Sequence, residues 1–332
     1  MTTTSATSPA LTHATSRPTD RLAELHDIVS SYRTCEFATV NRAGLPFAWP
    51  AVCEIAPDGT AIVLTTCIGF PRKALNVRRD PRVALLFSDP TGTGRTDLPQ
   101  VLVQGTAVCP EEIHTSPAGL ESYWRQLWER QPSSKGYAST ALGRKMFAFY
   151  YYRLVITVAP ETVTVGAPLP PRQPQQADRA ATRGSSAFAA TARRLPEFGD
   201  AVLAFVPDGE VSALPELRRV RVTADARDDR LLLESADGRP LPTFAADRTA
   251  ATLLQHSHDD KLARQRQLNV VGELTGGALR PERVVNAGEA VGPLATLRIL
   301  RRLYRTTAAY LERRGLARPE VPWDEYAALQ KG

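Results

Sequence analysis

The sequence predicts a mainly β chain with helices, an α+β protein built from two tandem copies of one antiparallel β unit and closed by a C-terminal helix. Three observations carry this. From residue 35 onward, short apolar runs with a period near two are cut by Gly turns. The order of those runs repeats about 165 residues later. The chain has 332 residues with 43% apolar content, more than one typical domain and enough for two cores.

The elements follow in order. Residues 1–20 are Ser/Thr-rich, with no cationic stretch followed by an apolar one, and are expected to be disordered and not a secretory signal. Arg21 to Tyr32 reads as a helix, because Leu22, Leu25, Ile28 and Val29 recur at three- and four-residue steps, with Thr19 or Asp20 as N-cap. EFATVNRAGLPFAWPAVCEI reads as strand, turn at Ala43-Gly44, strand. DGTAIVLTT adds a turn and a strand. Ala74 to Arg79 is a short helix stopped before Pro81. Val83 to Ser88 and QVLVQGTAV are strands, Ser116–Gln131 and Ser139–Phe149 helices, and RLVITVAPETVTV the last strand of a first domain spanning 21–165. Residues 166–190, poor in large apolar side chains and rich in Pro, Gln, Ala and Arg, read as a linker. A second domain spans 191–290. In the C-terminal segment, 291–332, Leu294, Leu297, Leu300, Leu303 and Tyr304 form a docking face, with arginines opposite.

The repeat is the most informative feature. Gly44 matches Gly209 and Pro50 matches Pro215. IVLTT matches LLLES, VALLF matches ATLLQ, and QVLVQGTA matches QLNVVGEL, which sets Gln100 on Gln267 and Gly105 on Gly272.

Composition bounds the partners. Net charge is +6 with a pI near 9.3, and arginine supplies most of the cations. Such a balance favours anionic partners, unless it only reflects a coding bias towards Ala, Arg and Pro. No basic stretch is interleaved with aromatics as nucleic-acid binding requires, so no nucleic-acid partner is expected. No apolar run reaches membrane-spanning length. Cys35, Cys53, Cys67 and Cys109 form no C-x-x-C pair, and three sit in apolar strands, which suits a reducing cytoplasm.

Several chemistries are excluded by motif. There is no P-loop, no G-x-G-x-x-G opening a helix and no G-x-S-x-G elbow. TGTGRT reads as a flexible turn. HSHDD offers only His256 and His258, with the other histidines in the other half, so a solvated loop is expected there and no metal site.

PRKALNVRRDPRVALLF, from Pro71 to Phe87, is different. Five cations crowd in front of an apolar strand. Thr65 and Thr66 end the preceding strand, Arg72 and Lys73 follow, and Asn76 lies on the first turn of a short helix. Hydroxyls, a guanidinium fork and an ammonium near a helix start suit a phosphate. The alternative is a solvated helix face. Arg78, Arg79 and Arg82 are expected to be solvated or paired with Asp80 and Asp89.

Together, the strand ending in TT, Lys-x-x-Asn-x-x-x-Asp-Pro-Arg-Val-Ala-Leu and QVLVQGTA resemble the flavin-binding split-barrel superfamily, which includes the pyridoxamine phosphate oxidases and the deazaflavin-dependent reductases. ATVNRAGLPFAWP and DGTAIVLTT resemble its opening hairpins. The resemblance covers residues 34 to 165 and survives in the second half mainly as strand spacing and RQLNVVGEL. It implies two tandem split β-barrels forming a pseudo-dimer within one chain, with a homodimer of whole chains left open. It also implies a flavin, FMN or alternatively a deazaflavin, at the junction, and a small-molecule substrate. Lys73 is then a phosphate or ribityl contact, Gln100 a flavin contact, and Trp49 and Pro50 lie along the ring. The second copy reads Pro240-Leu241 in place of the Arg-Lys pair and Phe244 in place of Asn76, so its own cradle is expected to be lost. It keeps Arg266 and Gln267, which with Lys261 and Arg264 are expected to wall a composite site. No general acid or base stands out, as suits a fold in which the flavin carries the redox chemistry. A flavin-dependent oxidoreductase is the leading expectation, a deazaflavin reductase or a non-catalytic flavin or haem binder the alternatives.

Overall fold

The structure, a computed structural model, describes residues 17–172, 186–207, 213–241, 249–285 and 293–331. Two short helices open it, α1 (Pro18–Glu24) and α2 (His26–Ser31), where one was expected. The chain leaves helical geometry at Leu25, with φ −95° and ψ 8°. Thr19 and Asp20 lie inside α1, because Pro18 takes the first helical position and Arg17 the cap. Next come β1 (Cys35–Val40), β2 (Pro46–Ala51), β3 (Cys53–Ile55), β4 (Ile62–Cys67), α3 (Arg72–Arg79), β5 (Arg82–Phe87) and β6 (Pro99–Val108). Between β1 and β2, Gly44 takes a φ of +76° and the Asn41 side chain accepts from the amides of Ala43 and Leu45. Three helices, α4 (Glu121–Arg130), α5 (Pro132–Lys135) and α6 (Ala141–Phe147), precede β7 (Arg153–Pro168). Residues 116–120, expected to be helical, form a turn instead, with Gly119 at φ +75°.

The second half runs α7 (Ala187–Ala192), β8 (Ala201–Phe205), β9 (Glu216–Asp225), β10 (Arg230–Ser235), β11 (Thr249–His258), β12 (Gln265–Thr275) and β13 (Ala278–Val285). Two helices, α8 (Pro293–Glu312) and α9 (Trp323–Lys331), end the chain. The segment read as a linker thus begins in strand, since Pro168 still pairs with Pro99, and ends in helix α7; residues 173–185 lie outside the described residues. Gly209 and Phe244 do as well, as do residues 1–16 of the expected disordered terminus.

The two halves share one strand order. The first sheet runs β2-β1-β5-β6-β7-β4-β3 and the second closes as β9-β8-β11-β12-β13-β10. The pair β2–β3, broken only at Val52, does what β9 does unbroken: its first part pairs with the opening strand and its second part with the third. Register makes the correspondence residue by residue. Gly105 lies opposite Pro160 beside a β-bulge at Glu161 of β7, and Gly272 lies opposite Pro281 beside a β-bulge at Glu282 of β13. A Cβ on either glycine would meet the facing strand's carbonyl oxygen, 2.1 Å from that of Ala159 or 2.2 Å from that of Arg280. The same register corrects one expected match. Ala38 pairs with Ala48, and its counterpart Ala204 pairs with Leu217, so Pro215 corresponds to Pro46 and Pro50 to Arg219.

Each half has its own apolar core. Phe37, Leu64, Val103 and Ile156 contribute to the first; Leu203, Leu231, Leu253 and Val270 contribute to the second. Between them lies a third cluster, in which Ala38, Ala48, Ala84 and Leu86 face Val202, Ala204, Leu217 and Leu254. The contact is reciprocal: β2 packs on β11, and their counterparts β9 and β5 pack on each other. Small alanines let the two sheets approach closely, and the arrangement is a pseudo-dimer within one chain. No helix among the described residues is long and apolar enough to cross a membrane.

Candidate functional site

Three regions carry the residues singled out above: the turn from β4 into α3, the junction between the barrels, and a buried polar network on one side of that junction.

At the turn, three of the five residues are bound into the fold. The Thr65 hydroxyl donates to the Tyr123 hydroxyl at 3.2 Å, on the face covered by α4. The Thr66 hydroxyl donates to the carbonyl of Phe70 at 2.8 Å. The Asn76 amide donates to Thr39 at 2.9 Å and accepts from Arg79 at 2.9 Å. Arg72 is exposed. Lys73 differs. It is partly buried, and enclosure lowers its ammonium to about 8 against the opposing pull of the Cys35 and Cys67 thiols, with Arg153 lowering it further. Of the remaining cations, Arg82 pairs with Asp80 at 2.7 Å, while Arg78 donates to the Cys109 carbonyl and the Tyr310 hydroxyl. Arg79 is tied to the Val40 carbonyl at 3.1 Å.

Arg153 was not among the expected residues. It opens β7 directly opposite Cys67 and is 6% exposed. Its guanidinium lies over the rings of Tyr150, at 4.0 Å, and Trp124, at 4.9 Å. Its Nε and Nη2 have no hydrogen-bond partner. Among the described residues neither Lys73 nor Arg153 has a carboxylate within ion-pair distance. Its only sequence signal is a charge at the head of an apolar strand.

At the junction, Trp49 packs with Leu45 and Phe47 against Val271 of the second barrel, its ring 4.8 Å from that of Phe47. Pro50 lies opposite Glu36. Gln100 crosses between the halves and donates to Asp237 at 3.1 Å. Asp237 follows β10, in the counterpart of the turn that carries Lys73. It accepts from Ser235 and Arg239, which outweigh burial and hold its carboxyl at about 2. Where the first copy has cations without a carboxylate within ion-pair distance among the described residues, the second therefore has an ionised carboxylate, followed by Pro240 and Leu241. Gln267 lies opposite His256 on the facing strand. Lys261, Arg264 and Arg266 are exposed, and Arg266 stands 4.0 Å from Glu197 of its own half.

The expected solvated HSHDD loop is instead the end of β11. Both histidine side chains are buried, because the first barrel supplies their partners. His256 Nε2 lies 2.6 Å from Glu36 and the Arg172 guanidinium donates to the same oxygen at 2.6 Å. Arg172 also faces Asp89 at 3.6 Å, and His258 stands 3.8 Å from Asp89. Arg219 reaches Asp200 at 3.0 Å and the Ser88 carbonyl at 2.6 Å. Burial, reinforced by Arg172, lowers His256 to about 4, so it is neutral near pH 7 and donates to the Glu36 carboxylate. Glu36, whose burial is outweighed by Arg172 and His256, stays ionised, its carboxyl below the usual range. No group of His, Cys, Asp or Glu among the described residues could hold a metal ion.

A phosphate group fits the β4–α3 turn in donor chemistry: an orphaned, buried guanidinium and an uncompensated ammonium flank Cys67 there.

No curated protein sequence matches the chain. Among solved structures, a conserved hypothetical protein of Mycobacterium tuberculosis is 26% identical, covering 44% of this chain and 83% of its own, with a TM-score of 0.32. An F420 reductase is 18% identical over 42% of this chain and 94% of its own, with a TM-score of 0.28. The haem storage protein HutZ of Vibrio cholerae is 16% identical over 45% of this chain and 95% of its own, with a TM-score of 0.30. Residues 22–149 match the family described as pyridoxamine 5'-phosphate oxidase. That stretch runs from α1 through the β4–α3 turn to just before β7, and over it the chain is similar to the pyridoxamine 5'-phosphate oxidase-like split-barrel superfamily.

Proposed function

We propose that the protein is a flavin-dependent oxidoreductase of the split-barrel type, with FMN as cofactor and a small molecule as substrate. The observation that carries the reading is Lys73: an enclosed ammonium without a carboxylate partner, at the turn where the superfamily match and the phosphate-like motif coincide. An ammonium so placed is stabilised by an anion delivered from outside the chain. The first barrel, residues 21–165, would supply the phosphate contact through Lys73 and Arg72, and the ring's edge through Trp49 and Pro50. Gln267 is the counterpart of Gln100, which reaches Asp237 of the other barrel, and by that symmetry it would face the turn after β4 in a composite site walled by the second barrel. A bound flavin supplies the redox chemistry; the chain's part is to hold the anion, enclose the ring and exclude water. Four cysteines, all free and buried, agree with a reducing cytoplasm.

An absorption spectrum of the purified protein, followed by titration with FMN and with a deazaflavin, tests the cofactor. Saturable FMN binding is expected. Tight binding of the deazaflavin alone would replace FMN with that alternative, and binding of neither would end the reading. Turnover of the bound, reduced flavin by an added electron acceptor is expected of an enzyme; a flavin that stays reduced would mark a non-catalytic binder.

A further inference from the structure

We propose that Arg153 is a further cationic contact for the flavin phosphate, reaching the anion from β7 beside the end of β4, where the chain turns into the helix that carries Lys73. The inference rests on the flavin reading above. Four observations on the fold carry it. Arg153 lies opposite Cys67, the last residue of β4, and the chain turns from Cys67 directly into α3. Its guanidinium is buried with Nε and Nη2 unpartnered, although a buried cation that lacks hydrogen bonds is costly to keep. The rings of Tyr150 and Trp124 hold the planar group in place but leave those N–H groups unmet. The Tyr123 hydroxyl, which accepts from Thr65, keeps its own proton for donation beside them. A fork, an ammonium and a hydroxyl on neighbouring elements are the donor set of a phosphate dianion. Two like charges on neighbouring elements repel, and an anion between them would relieve that.

The test compares FMN with riboflavin, which lacks the phosphate, by fluorescence titration of the full chain and of Arg153→Met and Arg153→Lys. FMN affinity is expected to fall roughly ten- to hundredfold in Arg153→Met, as for loss of a charge-assisted contact, with riboflavin unchanged. In Arg153→Lys, which keeps a charge in the aromatic cage, the FMN-to-riboflavin ratio is expected to fall less, and this variant decides the matter if Arg153→Met does not fold. An unchanged ratio in the folded variants, or an equal loss for both ligands, overturns the proposal while leaving the flavin reading standing. If the unmodified protein binds neither flavin, the thermal shift in inorganic phosphate, against chloride at equal ionic strength, separates the two ideas. Stabilisation by phosphate that depends on Arg153 keeps the anion site without the flavin. No stabilisation refutes both.

Discussion

Lys73 and Arg79 share helix α3 but not their surroundings. Arg79 is used up within the fold, by the Val40 carbonyl and Asn76. Lys73→Ala should weaken FMN binding roughly ten- to hundredfold, the loss of a charge-assisted contact, while Arg79→Ala should leave affinity near that of the parent and lower the melting temperature instead. Equal affinity losses in a fluorescence titration would move the anchor elsewhere. His256 makes a second prediction at this scale. Its folded pKa, about 4, lies below its unfolded value near 6.5, so between these pH values the unfolded chain binds more protons. Stability should therefore fall as pH drops from 6.5 to 4, by on the order of 3 kcal/mol from this group alone. His256→Gln keeps a donor for Glu36 but does not titrate, and thermal melts should show a flatter pH dependence for it. A slope as steep as the parent's would assign the acid sensitivity to other groups. These histidines also show where sequence reading stops: two aspartates after HSH suggest solvent, and only the partners Glu36 and Asp89, far away in sequence, explain a buried strand end. Arg153 was hidden for the same reason, since its meaning comes from cross-strand register with Cys67.

The strands were legible because their period and their Gly turns are local signals; most helix boundaries were not. Pro117 and Gly119 cut the helix expected from Ser116, and composition alone made the segment after Gly166 look like linker although it still pairs with β6 at Pro168. The repeated glycines were visible as letters but not as a device. Both sit beside bulges, where a side chain would strike the next strand, so Gly105→Ala and Gly272→Ala should each destabilise their barrel by about 1–3 kcal/mol or more, as overpacking does. Urea unfolding with little change in either variant would show that the facing strands can give way.

For the whole molecule the question is how many anions one chain holds. The first turn offers Lys73 and Arg153, the second an ionised Asp237 and a proline without an amide hydrogen. Isothermal titration should give one FMN per chain, and two equivalent sites would contradict the asymmetry. Because the barrels face each other across a shared cluster, residues 1–166 alone should bind poorly unless they dimerise; full-strength binding by that fragment as a monomer would remove the second barrel from the site.

Tethering also changes what a substitution does. Two separate chains with identical faces must meet by diffusion, and every mutation appears on both sides of the contact. Here the segment between β7 and α7 keeps the faces at an effective concentration on the order of millimolar, so the assembled form persists at dilutions that would part a weak dimer. It also lets each side drift alone. Glu36 on one face corresponds to Val202 on the other, and Pro50 to Arg219, exchanges that a symmetric pair could not make without placing two carboxylates or two guanidinia in mirrored positions. On the proposed reading, the fused arrangement lets one half specialise in holding an anion while the other becomes its wall.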